Sequence, residues 1–310
     1  MKAWQFTNTH SPLAKVDLPN PTAGADQVVV RVKAVGLCHS DVGLFEDEKW
    51  MAMMALPVVP GHEIAGEITA LGEGVTDYAV GDRVAIWSMG ETHGYTQNGG
   101  FGEYLVAHTN TLIPVPDNVP FEMAVFAEPG MTAHSAVVSS GQVKPGQKVG
   151  IIGFGGLGQI GVRVAALSGA HVFVAEINEA AWDRAREAGA ERVVKDIAEL
   201  ADEQLDLIVD FAGFGSTTAG AIAAVGQGGR VVQVGMGRLE ATLDMYPLIM
   251  KGVSLIGNVG GPKESMAAII HWMSTGDIVP TIDRTDFEHI PEGIERVKTG
   301  DVTGRLVAVY

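Results

Sequence analysis

A glycine-rich segment in the middle of the chain constrains the fold more than any other feature. The apolar run Val149–Ile152 leads into the pattern Gly-x-Gly-x-x-Gly and then into a helical pattern. In this order Gly153 allows a tight turn, Gly155 lets the backbone approach a pyrophosphate, and Gly158 lets a helix pack closely on a strand. A helix that opens at Gly155 or Gly156 points unpaired N–H groups at the phosphates. The segment therefore predicts a dinucleotide-binding unit whose candidate cofactor contacts are Gly153, Gly155, Gly156, Leu157 and Gly158.

The residue after the next predicted strand indicates which dinucleotide binds. The strand His171–Ala175 is followed by Glu176, which lies 23 residues after Gly153. A carboxylate at this position accepts both hydroxyls of the adenosine ribose and repels a 2′-phosphate. A solvated carboxylate at the end of a strand is the alternative interpretation. The spacing predicts NAD(H) as the cofactor rather than NADP(H).

Length, charge and cysteine content narrow the class of protein. A chain of 310 residues suits two domains that share one cleft. No apolar run reaches the length of about 18 residues that suggests a membrane span, and the N-terminal residues lack the apolar core of a signal peptide. The net charge of −16 argues against nucleic acid and anionic membranes as partners. With Cys38 as the only cysteine no internal disulfide can form, so we expect a cytoplasmic enzyme.

The predicted secondary structure of the chain changes near residue 120. Before about residue 115, short β segments are separated by glycine and proline, which is typical of an irregular, mostly antiparallel β domain. The strands predicted there are Gln27–Ala34, Glu63–Ala70, Arg83–Ile86 and Tyr104–His108. Beyond residue 120, helical stretches at 156–168, 179–189 and 216–226 alternate with apolar strands, which predicts a doubly wound parallel sheet. The strands predicted there are Val149–Ile152, His171–Ala175, Leu207–Phe211, Arg230–Val234 and Ser254–Gly257.

The last fifty residues are predicted to hold one helix, Glu264–Ser274, and a closing strand, Arg305–Val309. We expect this tail to return to the first domain. The predicted domains are then residues 1–128 with 260–310, and residues 129–259, with the active-site cleft between them.

The first domain contains two residues of the types that bind metal ions. Cys38 is followed 24 residues later by His62, and either of them alone is as readily a buried structural residue. Their surroundings, however, closely resemble the zinc-dependent medium-chain alcohol dehydrogenases, and the resemblance runs from Met1 to Tyr310. The motifs that carry it are Gly36–Asp41, Pro60–Ile68, Gly81–Val84, Gly99–Tyr104 and the segment at Gly153. The resemblance implies an α/β protein in which a GroES-like, β-rich catalytic domain is joined to a Rossmann domain, with NAD-dependent alcohol dehydrogenase activity.

The resemblance also implies one catalytic zinc ion per chain, held by three protein ligands, with a fourth position for water or substrate. Cys38 and His62 match the first two ligands. The third is a cysteine in many members, but here the matching position is Glu128. Glu63 adjoins His62 and is the other candidate, because it could replace Glu128 or exchange with bound water. A carboxylate stabilised by a helix dipole is the alternative interpretation of Glu128.

Further site residues follow from the same resemblance. Ser40 is expected to take the proton of the alcohol, and Asp41 is expected to orient the ring of His62. Many members have a histidine at the end of the proton relay where this chain has Gly43. Two other routes are therefore considered for the proton. It leaves through a ribose hydroxyl and water, or through His39.

The cofactor contacts implied by the resemblance lie in both domains. His39 and Arg305 are expected to reach the pyrophosphate, and Thr132 is expected to lie beside the nicotinamide. A surface-loop histidine and a salt bridge at the rim are the alternatives for His39 and Arg305. The structural-zinc lobe of many members is replaced by a cysteine-free run from Trp87 to Gly100, so we predict no structural zinc.

The substrate is less well defined by the sequence. The apolar segment Trp50–Leu56, with Trp87 and Ser88, could line a pocket for bulky secondary alcohols or ketones. Core packing or a subunit contact explains this segment equally well. Phe211–Phe214 and Asn258–Gly261 are expected to border the nicotinamide.

There are three alternatives to a zinc-dependent alcohol dehydrogenase that acts on such substrates. Glu128 favours a polyol or threonine dehydrogenase, whereas Cys38, His62 and Glu176 oppose a zinc-free enoyl or quinone reductase. Retention of the metal ligands and of Ser40 opposes a non-enzymatic NAD-binding protein. The expected partner is a small alcohol or ketone, and the resemblance implies a homodimer or homotetramer.

Overall fold

The computed structural model describes all 310 residues. The chain forms two compact units, one of residues Met1–Pro129 with Met266–Tyr310 and the other of residues Gly130–Ser265. The divisions between the units fall inside two helices, at residues 127–134 and 263–275, rather than in loops. None of the helices has both the length and the apolar composition that crossing a bilayer requires.

Fifteen strands and ten α-helices make up most of the regular structure. The strands are β1 Lys2–Gln5, β2 Ala14–Asp17, β3 Gln27–Gly36, β4 Glu63–Leu71, β5 Arg83–Ile86, β6 Tyr104–His108, β7 Leu112–Pro114, β8 Lys148–Ile152, β9 His171–Ala175, β10 Ala190–Val194, β11 Leu205–Asp210, β12 Val225–Gln233, β13 Ser254–Gly257, β14 Ile282–Asp286 and β15 Arg305–Val309. The helices are α1 His39–Glu46, α2 Ser88–Glu91, α3 Phe121–Ala124, α4 Ala127–His134, α5 Gly158–Leu167, α6 Trp182–Glu187, α7 Ser216–Ala224, α8 Met245–Met250, α9 Lys263–Thr275 and α10 Ile290–Thr299. A π-helix at Ser135–Ser140 follows α4, and 3₁₀ turns lie at Glu48–Met53, Thr109–Thr111, Glu179–Ala181, Ile197–Glu203 and Phe287–His289.

The first unit is built on a seven-stranded sheet in the order β14-β15-β3-β4-β5-β7, with β6 also paired to β3. All pairs are antiparallel except β14 with β15. The long strand β3 is central because it pairs with β4, β6 and β15, and most of its residues are buried. The expectation of a mostly antiparallel β domain is confirmed.

The second unit contains a six-stranded parallel sheet in the order β10-β9-β8-β11-β12-β13. The order reverses between β8 and β11, and ligands of such sheets bind beside the carboxyl ends of the strands at this switch point. Gly153 directly follows β8 and adopts a φ of +87°, which favours glycine. The doubly wound parallel sheet expected from the alternating pattern is confirmed.

Several elements differ from the sequence-based expectations. The helix expected to open at Gly155 or Gly156 begins at Gly158, because residues 155–157 form the turn that leads into it. The strands at 207–211 and 230–234 begin earlier, at Leu205 and Val225, and the extended β12 includes three glycines that resemble a loop in sequence.

The elements that were not predicted include β10, β14 and α10. The edge strand β10 carries the exposed charged pair Glu191 and Arg192, which weakens its apolar pattern. The strand β14 lies at the edge of the other sheet and is only half-buried. Helix α10 contains Pro291 and Gly293, which suggest a break, yet the proline lies in the first turn, where a helix tolerates it.

The contact between helix α5 and the turn after β8 leaves no room for a side chain at Gly158. A Cβ atom there would lie 1.9 Å from the carbonyl oxygen of Gly153, whereas a Cβ atom at Gly155 would meet no atom within 4 Å. The third glycine of the pattern is therefore required by packing, and the second is not.

We expect Gly158→Ala to lower the free energy of unfolding by about 3 kcal/mol, since two backbone segments must separate. Gly155→Ala is the matched control and should cost less than about 1 kcal/mol. Denaturant unfolding of the two variants measures both values. Equal stability of the two variants would contradict the packing account.

Candidate functional site

The pairing of β3 with β4 brings the two metal-binding residue types together. Gly36 at the end of β3 is the partner of Glu63 at the start of β4. Cys38 follows the first strand by two residues and His62 immediately precedes the second, so antiparallel pairing places them side by side. One ligand atom from each of Cys38, His62 and Glu63 lies within 4.8 Å of the others.

Asp41 lies against both Cys38 and His62. Its Oδ2 accepts a hydrogen bond from the backbone N–H of Cys38 at 2.8 Å, and its Oδ1 lies 3.4 Å from Nδ1 of His62. Asp41 is buried in the first turn of α1, where a carboxylate also interacts favourably with the helix dipole. With Nδ1 facing this carboxylate, Nε2 of His62 faces Ser40 and Glu63.

Glu63 is neutralised by Arg305 from the C-terminal strand. The Nε atom of Arg305 donates to Oε2 of Glu63 at 2.9 Å, and Nη2 contacts Oε1. Glu63 is fully buried and Arg305 is only 5% exposed. A Cβ atom at Gly36 would lie 2.0 Å from Oε2 of Glu63, so the strand partner must be glycine for the carboxylate to fit. The prediction that Arg305 reaches a pyrophosphate stays a prediction; its guanidinium here binds Glu63.

Glu128, the other candidate third ligand, lies in the first turn of α4 and is buried. Its Oε1 accepts a hydrogen bond from the Ser88 hydroxyl at 3.0 Å. It is not part of the group of donor atoms within 4.8 Å, which contains Glu63 instead. Its charge nevertheless interacts with those of Cys38 and His62.

The charged groups around the site favour the ionised form of the Cys38 thiol, which is the form that binds a metal ion. Burial opposes ionisation of Cys38, but Arg305 and His62 lower the pKa of the thiol to about 5. Burial, together with the negative groups of Cys38 and Asp41, raises the pKa of Glu128 above its ordinary value. Burial opposes protonation of His62, yet Tyr95, Asp41 and Cys38 raise the pKa of its ring well above the usual range. A bound cation would therefore displace protons from buried donors.

These donors fit a zinc ion. Thiolate sulfur, imidazole nitrogen and carboxylate oxygen are its usual protein ligands. Cys38, Asp41, Glu63 and Glu128 bring four acidic groups into the buried region, against the one permanent cation of Arg305. The excess of negative groups favours a bound cation.

The neighbours of the site account for the glycine at position 43. A Cβ atom at Gly43 would lie 2.8 Å from Nε1 of Trp50, so the indole fills the space that a larger side chain would need. Ser40 remains beside the metal-binding residues, with Oγ 3.4 Å from Nε2 of His62. His39, the neighbour of Ser40, is exposed.

The second unit assembles the residues of the glycine-rich segment around Glu176. One carboxylate oxygen of Glu176 accepts from the N–H of Phe154 at 2.6 Å, and the other accepts from the N–H of Asn178 at 2.7 Å. Each oxygen keeps a further lone pair, so the carboxylate can hold the turn and still accept a ribose hydroxyl. The indole N–H of Trp182 binds the backbone carbonyl of Glu176 and fixes its backbone.

Sequence reasoning missed Asp210, which shapes the neighbouring turn. Asp210 is fully buried at the end of β11 and accepts hydrogen bonds from the N–H groups of Ala212 and Gly213 and from the hydroxyls of Thr217 and Thr218. This turn lies at the switch point, since Asp210 pairs with the last residue of β8. A charged residue that ends an apolar strand is the signal that could have identified it.

Asn258, which was expected with Gly261 to border the nicotinamide, also organises the π-helix after α4. Its Oδ1 accepts from the hydroxyls of Ser135 and Ser140, and its Nδ2 donates to the carbonyl of Thr132 at 3.4 Å. Asn258 also borders a cavity of about 460 Å³ at the carboxyl ends of β12 and β13. Thr132, a predicted nicotinamide contact, is therefore held beside a strand end.

Comparisons with known proteins agree with this architecture. Residues 24–117 match the family described as the alcohol dehydrogenase GroES-like domain, and residues 156–275 match the zinc-binding dehydrogenase family. An alcohol dehydrogenase of Geobacillus stearothermophilus is 29% identical over 340 residues, covering 99% of both chains. Among solved structures, the alcohol dehydrogenase of the archaeon Aeropyrum pernix is 27% identical, with a TM-score of 0.91 and coverage of 100% of both chains. Acetophenone reductase from Geotrichum candidum, solved in complex with NAD, is 26% identical, with a TM-score of 0.89 and coverage of 100% of this chain and 97% of that one.

We expect Asp41→Asn to weaken Zn²⁺ binding by about 10–100-fold. The amide oxygen can still accept from the N–H of Cys38, but the amide N–H₂ then faces Nδ1 of His62. This favours the tautomer that carries its proton on Nε2, the nitrogen nearest Glu63. Zn²⁺ affinity by competition with a chelator measures the effect, and Asp47→Asn, at the half-buried N-cap of the 3₁₀ turn Glu48–Met53, is the control. Equal Zn²⁺ affinity of both variants would contradict this role for Asp41.

Proposed function

Since the chain belongs to the zinc-dependent medium-chain alcohol dehydrogenase family, we propose that it transfers a hydride between an alcohol and NAD⁺ with a zinc ion bound at Cys38 and His62. The observation that carries this proposal is that the thiol of Cys38 and the imidazole of His62 offer donor atoms within 4.8 Å of each other, beside two buried carboxylates. The glycine-rich turn with Glu176 supports NAD(H) as the cofactor.

The third zinc ligand is Glu128 in our proposal. Both oxygens of Glu63 are engaged by Arg305, so its charge is already balanced. Glu128 has no cationic side chain among its hydrogen-bond partners, and it is the third ligand that the resemblance to the family implies. Glu63, which lies nearer to Cys38 and His62, is the alternative ligand.

The chemistry that zinc supplies when bound is polarisation of an oxygen, and the chemistry that NAD(H) supplies is hydride exchange at the nicotinamide. The protein residues provide the rest. Asp41 fixes the tautomer of His62 so that Nε2 is free to bind the metal. Ser40, with Oγ beside that nitrogen, accepts the proton of the substrate hydroxyl at Oγ and passes its own hydroxyl proton on, through a ribose hydroxyl and water or through His39.

For the cofactor, we propose that the N–H groups of the turn at Gly155–Gly158 receive the pyrophosphate. Glu176 accepts the ribose hydroxyls and disfavours a 2′-phosphate. Thr132 lies beside the nicotinamide, and His39 and Arg305 are further candidates for pyrophosphate contacts.

We propose a bulky secondary alcohol, or the corresponding ketone, as the substrate. The segment Trp50–Leu56 is largely apolar, and Met53 is 50% exposed. The related acetophenone reductase is named for a ketone of this kind. A polyol or threonine dehydrogenase is the second candidate, because a carboxylate as third ligand is typical of that branch. The single cysteine, reduced and free to bind metal, suits the cytoplasm.

The metal content of the purified chain, measured together with NAD⁺ reduction on a panel of aromatic, aliphatic and polyhydroxy alcohols, tests the proposal. We expect about one zinc per chain, activity with NAD⁺ well above that with NADP⁺, loss of activity on chelation and its return with Zn²⁺. Cys38→Ala should lose both zinc and activity. A zinc-free chain that reduces enones with NADPH at full rate would instead assign it to the reductase branch.

We also propose that the chain forms a homo-oligomer through the edge of its parallel sheet. The edge strand β13 and helix α8 expose large apolar side chains, and α8 has no buried residue. The exposed residues are Met245, Tyr246, Ile249, Met250 and Leu255, at 40–72% of their full area. An apolar surface next to an unpaired strand edge is typical of an interface.

Light scattering after size-exclusion chromatography tests the oligomer. We expect a dimer or tetramer that Tyr246→Lys with Ile249→Lys converts to smaller species, because two charges would be buried at the contact. Val80→Lys, at an exposed apolar residue of the other unit, is the control and should keep the assembly. A monomeric wild-type chain would contradict this proposal.

A further inference from the structure

The side-chain amide of Asn258, at the carboxyl end of the parallel sheet, uses all of its hydrogen-bonding capacity. Its Oδ1 accepts from the hydroxyl of Ser135 at 3.1 Å and from that of Ser140 at 2.8 Å. Its Nδ2 donates to the carbonyl of Thr132 at 3.4 Å and to that of Gly260 at 3.2 Å. An amide offers two lone pairs and two N–H groups, so none is left over. The two carbonyl oxygens on the nitrogen side also fix which way the amide points.

The two serines that share Oδ1 are five residues apart, which is the hydrogen-bond spacing of a π-helix. In an α-helix, residues five apart point about 140° away from each other, because each residue turns the chain by about 100°. In the π-helix Ser135–Ser140 the N–H of Gly141 donates instead to the carbonyl of Ala136, five residues earlier, at 2.9 Å. Residues i and i+5 then lie one turn apart on the same face. A single acceptor therefore binds both hydroxyls only in the π-helical form.

The backbone that follows Asn258 is packed directly on the helix that contains Thr132. A Cβ atom at Gly261 would lie 2.8 Å from the carbonyl oxygen of Met131 and 2.9 Å from the Cβ atom of Ser135. Because no gap separates the turn from the helix, the helix cannot rotate without displacing the turn after β13.

The end of the π-helix is anchored to the sheet. Nη1 of Arg230, in β12, donates to the carbonyl of Ser140 at 3.0 Å, and Nη2 donates to Oε1 of Gln142 at 3.0 Å. With this end fixed, a change from π-helical to α-helical hydrogen bonding would rotate the preceding turn about the helix axis. Thr132 lies in that turn, near the end of α4. The type of helix after α4 therefore determines where Thr132 points.

We propose that Asn258 is a positioning residue for the nicotinamide half of the cofactor: its amide stabilises the π-helical turn and thereby holds Thr132 in place. The inference rests on the proposed function and deepens it, because Thr132 is the residue assigned there to the nicotinamide. Glu176 and the turn after β8 are assigned to the adenosine and pyrophosphate half. The Asn258 network should therefore affect one half of the cofactor and leave the other unchanged.

NADH and ADP-ribose, which lacks the nicotinamide, are the two probes that test this inference. Asn258→Ala should weaken NADH binding by about tenfold, because several hydrogen bonds are lost, and leave ADP-ribose binding within about twofold of the wild type. Ser140→Ala removes only one hydroxyl and should weaken NADH binding by about two- to fivefold. Ser139→Ala, at the exposed neighbour in the same π-helix, is the matched control and should change neither affinity. Titration calorimetry on the full chain measures each dissociation constant.

The ratio of the two affinities separates this role from a general loss of structure, which would weaken both nucleotides equally. A ratio that stays at its wild-type value in Asn258→Ala and Ser140→Ala would overturn the inference. Should Asn258→Ala fail to fold, Ser140→Ala with its control decides the question alone. A wild-type chain that binds both nucleotides but oxidises no alcohol would remove the proposed function and leave the inference to be decided by the ratio. A wild-type chain that binds neither nucleotide would overturn both.

A second readout does not depend on the cofactor. In a crystal structure of the Asn258→Ala chain we expect the N–H of Gly141 to donate to the carbonyl of Val137, as in an α-helix, in place of that of Ala136. An unchanged π-helix in this variant would overturn the inference.

Discussion

The buried ion pair between Glu63 and Arg305 is the interaction on which the site depends most. The two residues are 242 positions apart in sequence and almost completely removed from water. Leaving either charge unpaired at such depth costs about 3–5 kcal/mol. The pair requires β15 to be in place beside β3, and Gly36 to leave room for the carboxylate. Strand β15 thus determines the environment of the residue that follows His62, and the Glu63–Arg305 pair is complete only when β15 is paired with β3.

The charge of Arg305 has a second consequence. It stabilises the thiolate of Cys38 and occupies the nearest carboxylate, so the region has a ready sulfur ligand and one acid already balanced. Asp41 orients the imidazole through Nδ1, and Glu128 supplies a second buried acid from another helix. The proposed zinc ligands combine one sulfur atom with a nitrogen and an oxygen atom. A zinc ion bound by one thiolate is a stronger Lewis acid toward its substrate than a zinc ion bound by two thiolates.

Local patterns predicted the elements well where apolar runs are short and bounded by turn residues. The strand His171–Ala175 occurs with the expected bounds, because a buried parallel strand is a continuous apolar run. The edge strand Ser254–Gly257 also has the expected bounds, although it is mostly exposed. Helix α10 was missed because Pro291 and Gly293 lie inside it. The residues beside Cys38 and His62 were expected from the resemblance to a known family, which rests on the motifs around them. The contact of Arg305 with Glu63 was not expected, because it depends on tertiary packing between distant segments, which no local pattern encodes.

X-ray absorption at the zinc edge of the purified chain tests the central claim most directly. With Cys38 as the only cysteine, a zinc ion bound at the proposed site has one sulfur neighbour and otherwise nitrogen and oxygen. We expect a single sulfur at about 2.3 Å, with the nitrogen and oxygen ligands at about 2.0–2.2 Å. A shell made only of nitrogen and oxygen, or one with two sulfurs from a site shared between chains, would contradict it.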